Sequence, residues 1–361
     1  MLKPNKILII RFSALGDLVL TTPIFREMKK VFPDVHISLL TSAGDGSVLN
    51  NNPYIDHIIW HKRSETYSEL KKLIIKLKKE NYDLVYDAHR SLRSIWIVWN
   101  LNNFGLRTTP NVWLINKRSL QRSLLINFKL NFLNNTSSQR KHLLLPLQKQ
   151  TSLVLNDHTE LFPDQKTVTK INNFLLKNKL IHKKYIAIGA SASYPLKRWP
   201  LKYFKELISM LIIQDCPVVL VGGENETENV KLGQEFSGKV INAAGNFTPL
   251  ESAELLKHAR IVVTNDTSIS HLAEAMLTPV LVFFGATVKE FGYSPFLKES
   301  KIIETSENLS CRPCSRDGRG KCSNPDRLRC LTSLTPEMAF SIIPELNYYN
   351  SEKTANNNSN P

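Results

Sequence analysis

Residues 7–28 read ILIIRFSALGDLVLTTPIFREM: four aliphatic residues in a row, a turn of small residues, then apolar positions at helical spacing. Ile7 to Phe12 reads as a buried strand, and Leu18, Val19, Ile24, Phe25 and Met28 mark a helix from Asp17 to Phe32. A buried strand that feeds a helix through a tight turn opens a parallel α/β sheet, and such sheets bind ligands at the C-terminal ends of their strands. Gly16 in that turn permits a close approach of ligand to backbone. The pattern sets Asp17 at or beside the helix N-cap, where a carboxylate either caps the helix, worth about 1 kcal/mol, or serves as a general base toward a ligand.

Outward from this stretch the same alternation repeats. Strands are expected over 36–40, 57–62 and 82–89, with a Lys-rich helix before the last, whereas residues 107–165 are less regular and are expected to include substrate-facing helices and the linker region. The pattern restarts with YIAIGAS (185–191), a helix over Leu201 to Ile213, and strands in PVVLVGGENE (217–226), RIVVTNDTS (260–268) and TPVLVFFGAT (278–287). Each of these strands ends in small or hydroxylated residues, the types found where backbone amides approach a ligand. The expected fold class is α/β, with two Rossmann-like doubly wound domains facing across a cleft. They span residues 1–165 and 166–345, and 346–361 forms a polar, disordered tail.

A chain of 361 residues with 42% hydrophobic content suits two ordinary cores. No apolar run approaches the ~18 residues of a membrane span, and Arg11 cuts short the one apolar run near the N-terminus, so a cytoplasmic protein is expected. The net charge of +15 is one-sided: residues 1–150 hold 23 Lys and Arg against 10 Asp and Glu, whereas 151–361 hold 24 against 22. Part of this excess is the solvated face formed by Lys71, Lys72, Lys76, Lys78 and Lys79. The remainder forms a field that steers anionic partners.

TNDTSISHLAEAM (264–276) is the most specific chemical signal. A strand ends at Val263, Asp266 and Thr267 turn the chain, and a helix begins near Ser268. Its free amides make an anion site to which the Thr267 and Ser268 hydroxyls and His271 add. GASASYPLKRWP (189–200) adds Ser191, Ser193 and the cations Lys197 and Arg198 after a second strand, suited to a diphosphate. Glu226 follows a third strand end, where a carboxylate either accepts from ribose hydroxyls or stands as an ordinary helix-start acid.

Together, RFSALGDLVLTTP (11–23) and TNDTSISHLAEA (264–275) resemble glycosyltransferase family 9, the ADP-heptose:lipopolysaccharide heptosyltransferases and their relatives, from about residue 6 to about 345. The resemblance implies a GT-B fold, with acceptor on the N-terminal half, nucleotide-sugar on the C-terminal half, and inverting transfer without a required cofactor. It matches Asp17 to the family's proposed base, Lys197 to its phosphate-contacting lysine, and Asp266, Thr267, Ser268 and His271 to its nucleotide-sugar loop. Ser268 stands where Gly is common, and Ser191 and Ser193 where Thr is often found. The implied partners are a nucleotide-sugar such as ADP-heptose, a lipopolysaccharide precursor and the cytoplasmic face of the inner membrane.

Lys62, Arg63, Arg90, Arg93, Arg118 and Arg122 are the expected acceptor-binding cations, with Arg118 and Arg122 sharing one helical face. Cys311, Cys314, Cys322 and Cys330 form C-x2-C-x7-C-x7-C, either a structural zinc set or free thiols. Two other classes fit less well. A nucleic-acid-binding protein would not separate its cysteine cluster from its excess charge. An oxidoreductase would carry G-x-G-x-x-G after a strand, which is absent.

Overall fold

The computed structural model describes residues 3–62, 66–102, 110–133, 138–224 and 226–343. Arg63 and the expected tail lie outside them. The chain divides into two compact units, one of Met1–Ser119 with Asn134–Asp164, the other of Leu120–Leu133 with Gln165–Pro361. No helix among the described residues is long and apolar enough to cross a membrane.

The first unit is built on β1 (Lys6–Ile10), β2 (His36–Ser42), β3 (His57–His61), β4 (Leu84–Asp87) and β5 (Asn111–Leu114), all parallel in the order β3-β2-β1-β4-β5. Ile7 to Ile10 are fully buried because β1 is central and covered on both faces. The strand order reverses between β1 and β4, and their C-terminal ends open there as a topological switch point.

The single helix expected over 17–32 is two, α1 (Leu15–Leu20) and α2 (Thr22–Val31). Pro23 has no N–H to give the Val19 carbonyl, which accepts instead from the Thr22 hydroxyl at 2.9 Å, while the Thr21 hydroxyl donates to the Leu18 carbonyl at 2.6 Å. Gly16 sits inside α1 and supplies no turn. After α3 (Tyr67–Lys79), which begins with a capping box between Thr66 and Glu69, comes α4 (Leu92–Leu101). Leu70, Ile74, Leu77, Ile97, Val98 and Leu101 pack these two helices onto one core with Leu8, Ile10 and Val85.

Residues 107–165 hold the expected helices, α5 (Ser119–Phe128) and α6 (Gln139–Gln148), and before them the strand β5, which was not expected. In the second unit, α7 (Gln165–Lys177) precedes a parallel sheet of β6 (Ile186–Gly189), β7 (Val218–Leu220), β8 (Ile241–Asn242), β9 (Ile261–Asn265), β10 (Val280–Phe284) and β11 (Lys301–Glu304), in the order β11-β10-β9-β6-β7-β8. Its switch point is β6/β9. The helices α8 (Leu201–Ile213), α9 (Thr227–Glu235), α10 (Pro249–Lys257), α11 (Ser268–Ala275), α12 (Arg329–Thr332) and α13 (Pro336–Ile342) complete it. Trp199 is the largest side chain of its core, stacked on Phe283 at 4.1 Å.

Candidate active site

At the first unit's switch point, Asp17 is the third residue of α1, not its cap. Ala14 is the N-cap, and no side chain caps the helix. The Asp17 carboxylate is instead ion-paired with Arg11, whose side chain is 9% exposed against 27% for Asp17. Arg11 in turn donates to the Ala88 carbonyl at 2.6 Å and the Ser13 carbonyl at 3.1 Å, tying the end of β1 to the end of β4. The capping reading of Asp17 therefore fails, and its carboxylate is held in a fixed, partly exposed position.

His89 follows β4. Burial first, then the charges of Arg11 and Lys117, push its pKa down to about 4, so its imidazole is neutral at pH 7. It helps line a cavity of about 430 Å³ with Phe12, Ser13, Ser42, His61 and Arg93. His61 is 1% exposed, and its Nε2 lies 2.9 Å from the Arg93 guanidinium; because guanidinium only donates, Nε2 is the bare nitrogen. Asp87 is fully buried, which raises its pKa, and its Oδ1 accepts from the His89 and Arg90 amides at 3.0 and 2.6 Å.

Of the expected acceptor cations that are described, Arg93 alone lines this cavity. Lys62 is exposed just past β3, and Arg90, at φ 52°, donates to the Ile115 carbonyl at 3.1 Å. Arg118 and Arg122 do not share a helical face, because α5 begins at Ser119 and Arg118 has a left-handed φ of 50°. Both are 5% exposed and thus not solvated charges. Arg122 belongs to the second unit, where it donates to the Phe291 carbonyl at 2.9 Å and lies over the Phe291 and Tyr293 rings.

At the second unit's switch point, α11 starts as expected, with Thr267 as N-cap accepting from the Ile269 amide at 3.3 Å. Asp266 is 7% exposed. Burial works to raise its pKa, but the Lys197 charge, with hydrogen bonds from Lys197 and Thr287, holds it below the ordinary carboxylate value. Lys197 Nζ is 2.7 Å from Asp266 Oδ2 and also donates to the Asp266 carbonyl at 3.1 Å, and the Thr287 hydroxyl donates to Oδ2 at 2.7 Å. Buried Asn265 joins the loops after β6 and β9: it donates to the Ala190 carbonyl at 2.8 Å and accepts from the Trp199 amide at 2.9 Å. His271 is buried beneath, its ring 6.3 Å from that of Tyr293.

Ser191 is buried and donates to Glu228, which also holds Arg198 at 2.6 Å, whereas Ser193 is exposed. Glu226 is the N-cap of α9 and half-buried. Burial raises its pKa, with Glu228 adding to the rise, and it accepts from Asn229 Nδ2 at 2.8 Å. Such a carboxyl is a hydrogen-bonding group more than a plain solvated charge. Ser268 is partly exposed at the start of α11.

All four clustered cysteines line one small cavity of about 10 Å³, and none is in a disulfide. Burial and the neighbouring sulfurs push Cys330 up to about 12 and raise Cys314. Among the described residues no group of three or more His, Cys, Asp or Glu is arranged to hold a metal ion. The cysteine segment instead braces the site. A Cβ on Gly318, whose φ is +88°, would meet Lys197 Cγ at 2.7 Å, and Arg319 lies over the Tyr194 ring at 5.0 Å.

Each of the two units is a parallel α/β sheet with charged side chains gathered at its switch point. Residues 70–321 match the family model of glycosyltransferase family 9 (heptosyltransferase). The chain is 25% identical over 359 residues to a lipooligosaccharide heptosyltransferase 2 of Haemophilus influenzae, covering 94% of this chain and 99% of that protein. It is similar to the solved family 9 glycosyl transferase of Veillonella parvula, with TM-score 0.76 and 18% identity over 96% and 97% of the two chains. It is also similar to an Escherichia coli heptosyltransferase solved with ADP-2-deoxy-2-fluoro heptose, with TM-score 0.64 and 18% identity over 94% and 99%. The chain belongs to glycosyltransferase family 9, the heptosyltransferase family, and is a glycosyltransferase with a two-sheet α/β fold.

Proposed function

We propose that this chain moves a heptose from ADP-heptose to the inner core of a lipopolysaccharide precursor, with inversion at the anomeric carbon, on the cytoplasmic face of the inner membrane. The observation that carries this reading is the Lys197–Asp266–Thr287 network at the N-terminus of α11. An ammonium and the first amides of a helix suit the charge that a departing nucleoside diphosphate gathers. Arg198, Ser191 and Glu226 supply further polar groups for the donor.

The first unit supplies the acceptor side. Its cavity of about 430 Å³ takes a sugar, with Arg93 reading an acceptor carboxylate or phosphate. Asp17, oriented by Arg11, takes the proton of the attacking hydroxyl; the new glycosidic bond forms as the bond to the diphosphate breaks. Neutral His89 gives a hydrogen bond without competing for that proton. The likeness to a heptosyltransferase solved with an ADP-heptose analogue supports ADP-heptose as donor.

The test is mass spectrometry of acceptor after incubation of the full chain with ADP-heptose, and separately with UDP- and GDP-hexoses. A gain of one heptose from ADP-heptose alone is expected. Transfer of a hexose in preference would replace the donor assignment while leaving the family intact.

A further inference from the structure

The helix α4 is apolar on both sides. Its inner positions Ile97, Val98 and Leu101 are buried in the first unit's core. Its outer positions Leu92, Ile95 and Trp99, spaced i, i+3, i+7, are apolar as well, with Leu92 90% and Trp99 56% exposed, and half-buried Trp96 beside them packs against the same core. A surface helix normally turns a polar face to water, so a second apolar stripe marks something it meets.

The adjacent α3 continues the surface. Tyr67 is 59% exposed, its ring 6.4 Å from that of Trp96, and Lys71 Nζ lies 4.7 Å from the Tyr67 ring centroid. Lys71, Lys72, Lys76, Lys78 and Lys79 all come from this one helix and are exposed. Among the described residues, Glu69 is engaged in the capping box with Thr66 and Glu80 with Lys6 at 3.3 Å.

We propose that the outer face of α3 and α4 docks on an anionic bilayer leaflet, a proposal that rests on the reading of a lipid-borne acceptor. Tryptophan and tyrosine carry an apolar body and a polar tip suited to the headgroup boundary, and a lysine row beside them meets anionic headgroups. A protein partner would gain from the apolar stripe, but it leaves the unbalanced lysine row without a role; an anionic leaflet uses both. Leu92 belongs to this face and also lines the acceptor cavity. Docking therefore brings the cavity mouth to the headgroup level, where a lipid-anchored sugar chain begins.

The experiment is flotation of the full chain with vesicles of phosphatidylglycerol and phosphatidylethanolamine, and with vesicles of phosphatidylcholine alone. Wild type floats with the anionic vesicles only. Trp99→Gln lowers that partition by roughly tenfold, and each of Lys71→Gln and Lys72→Gln by about fivefold at low salt. All three variants transfer sugar to a water-soluble, deacylated acceptor at the wild-type rate, and their transfer to acceptor embedded in vesicles falls in step with their partition. A wild type that does not float, or a Trp99→Gln that floats equally well, overturns the proposal. So does a Trp99-dependent dimer in the absence of lipid, which would give the face to a second copy. Failure of wild type with the soluble acceptor overturns the proposed heptose transfer instead, and flotation scores the two separately.

Discussion

Removing the charge of Asp266 and of Lys197, singly and together, measures the coupling that holds the donor side. At 2.7 Å the two charges attract by roughly 6 kcal/mol at an effective dielectric of about 20. With side chains 8% and 18% exposed, part of that offsets the loss of hydration, which leaves a coupling of about 2–4 kcal/mol. Asp266→Asn alone strands the ammonium near buried dipoles and also weakens the bond from Thr287, so it is expected to destabilise by about 3 kcal/mol. Lys197→Met leaves a carboxylate that still accepts from Thr287, and is milder. The double variant is more stable than the two single losses predict by addition. Urea unfolding followed by a probe in the second unit gives the four free energies. A coupling below about 0.5 kcal/mol would mean that the pair is a solvated contact and that Lys197 is not held for a diphosphate.

Asp17→Asn should keep donor affinity and lower turnover by about 10²–10⁴-fold; full turnover in a folded variant would remove Asp17 from the chemistry. His89, with its pKa lowered to about 4, favours folding above the ordinary histidine value of about 6.5 and loses that contribution as pH falls through the interval between them. Melting temperature should therefore drop over that window in wild type and less in His89→Gln; parallel curves would show that the imidazole is not buried in its neutral form. Gly318→Ala strains a left-handed residue and presses on Lys197, so calorimetry should find weaker ADP binding, and unchanged affinity would show that the cysteine segment does not brace the lysine.

The strands were legible because each carries an apolar run and a breaker, as in Val280 to Phe284 before Gly285, but their ends were less so: β1 stops at Ile10 rather than Phe12, and β9 runs on to Asn265 rather than Val263. β8 and β11 were not, since Ile241–Asn242 and Lys301–Glu304 are edge strands too short or too polar to show alternation. The junction of α1 and α2 at Thr21 and Thr22 illustrates the limit of periodicity: the apolar positions run through Pro23, but the hydrogen-bond ladder does not. At the site, Lys197, Asp266 and Thr267 could be found from motifs that follow strands. Thr287, Asn265 and Glu228 could not, because their roles come from strands and helices distant in sequence. Arg11 was hidden beside Asp17 in the same motif, and His61 and His89 carry no local pattern that separates a cavity wall from a core histidine.

Leu120–Leu133 belongs to the second unit although it is synthesised in the midst of the first. Its Leu125 and Leu133 pack with Val288 and Phe291, and Arg122 waits for a carbonyl 169 residues further on. At ribosomal rates of about 5–20 residues per second, roughly 10–30 s pass before those partners emerge. During that interval an apolar, basic segment has no place to settle, even after the rest of the first unit has been synthesised. Nascent chains paused between residues 164 and 291 should then be the ones that holding chaperones grip.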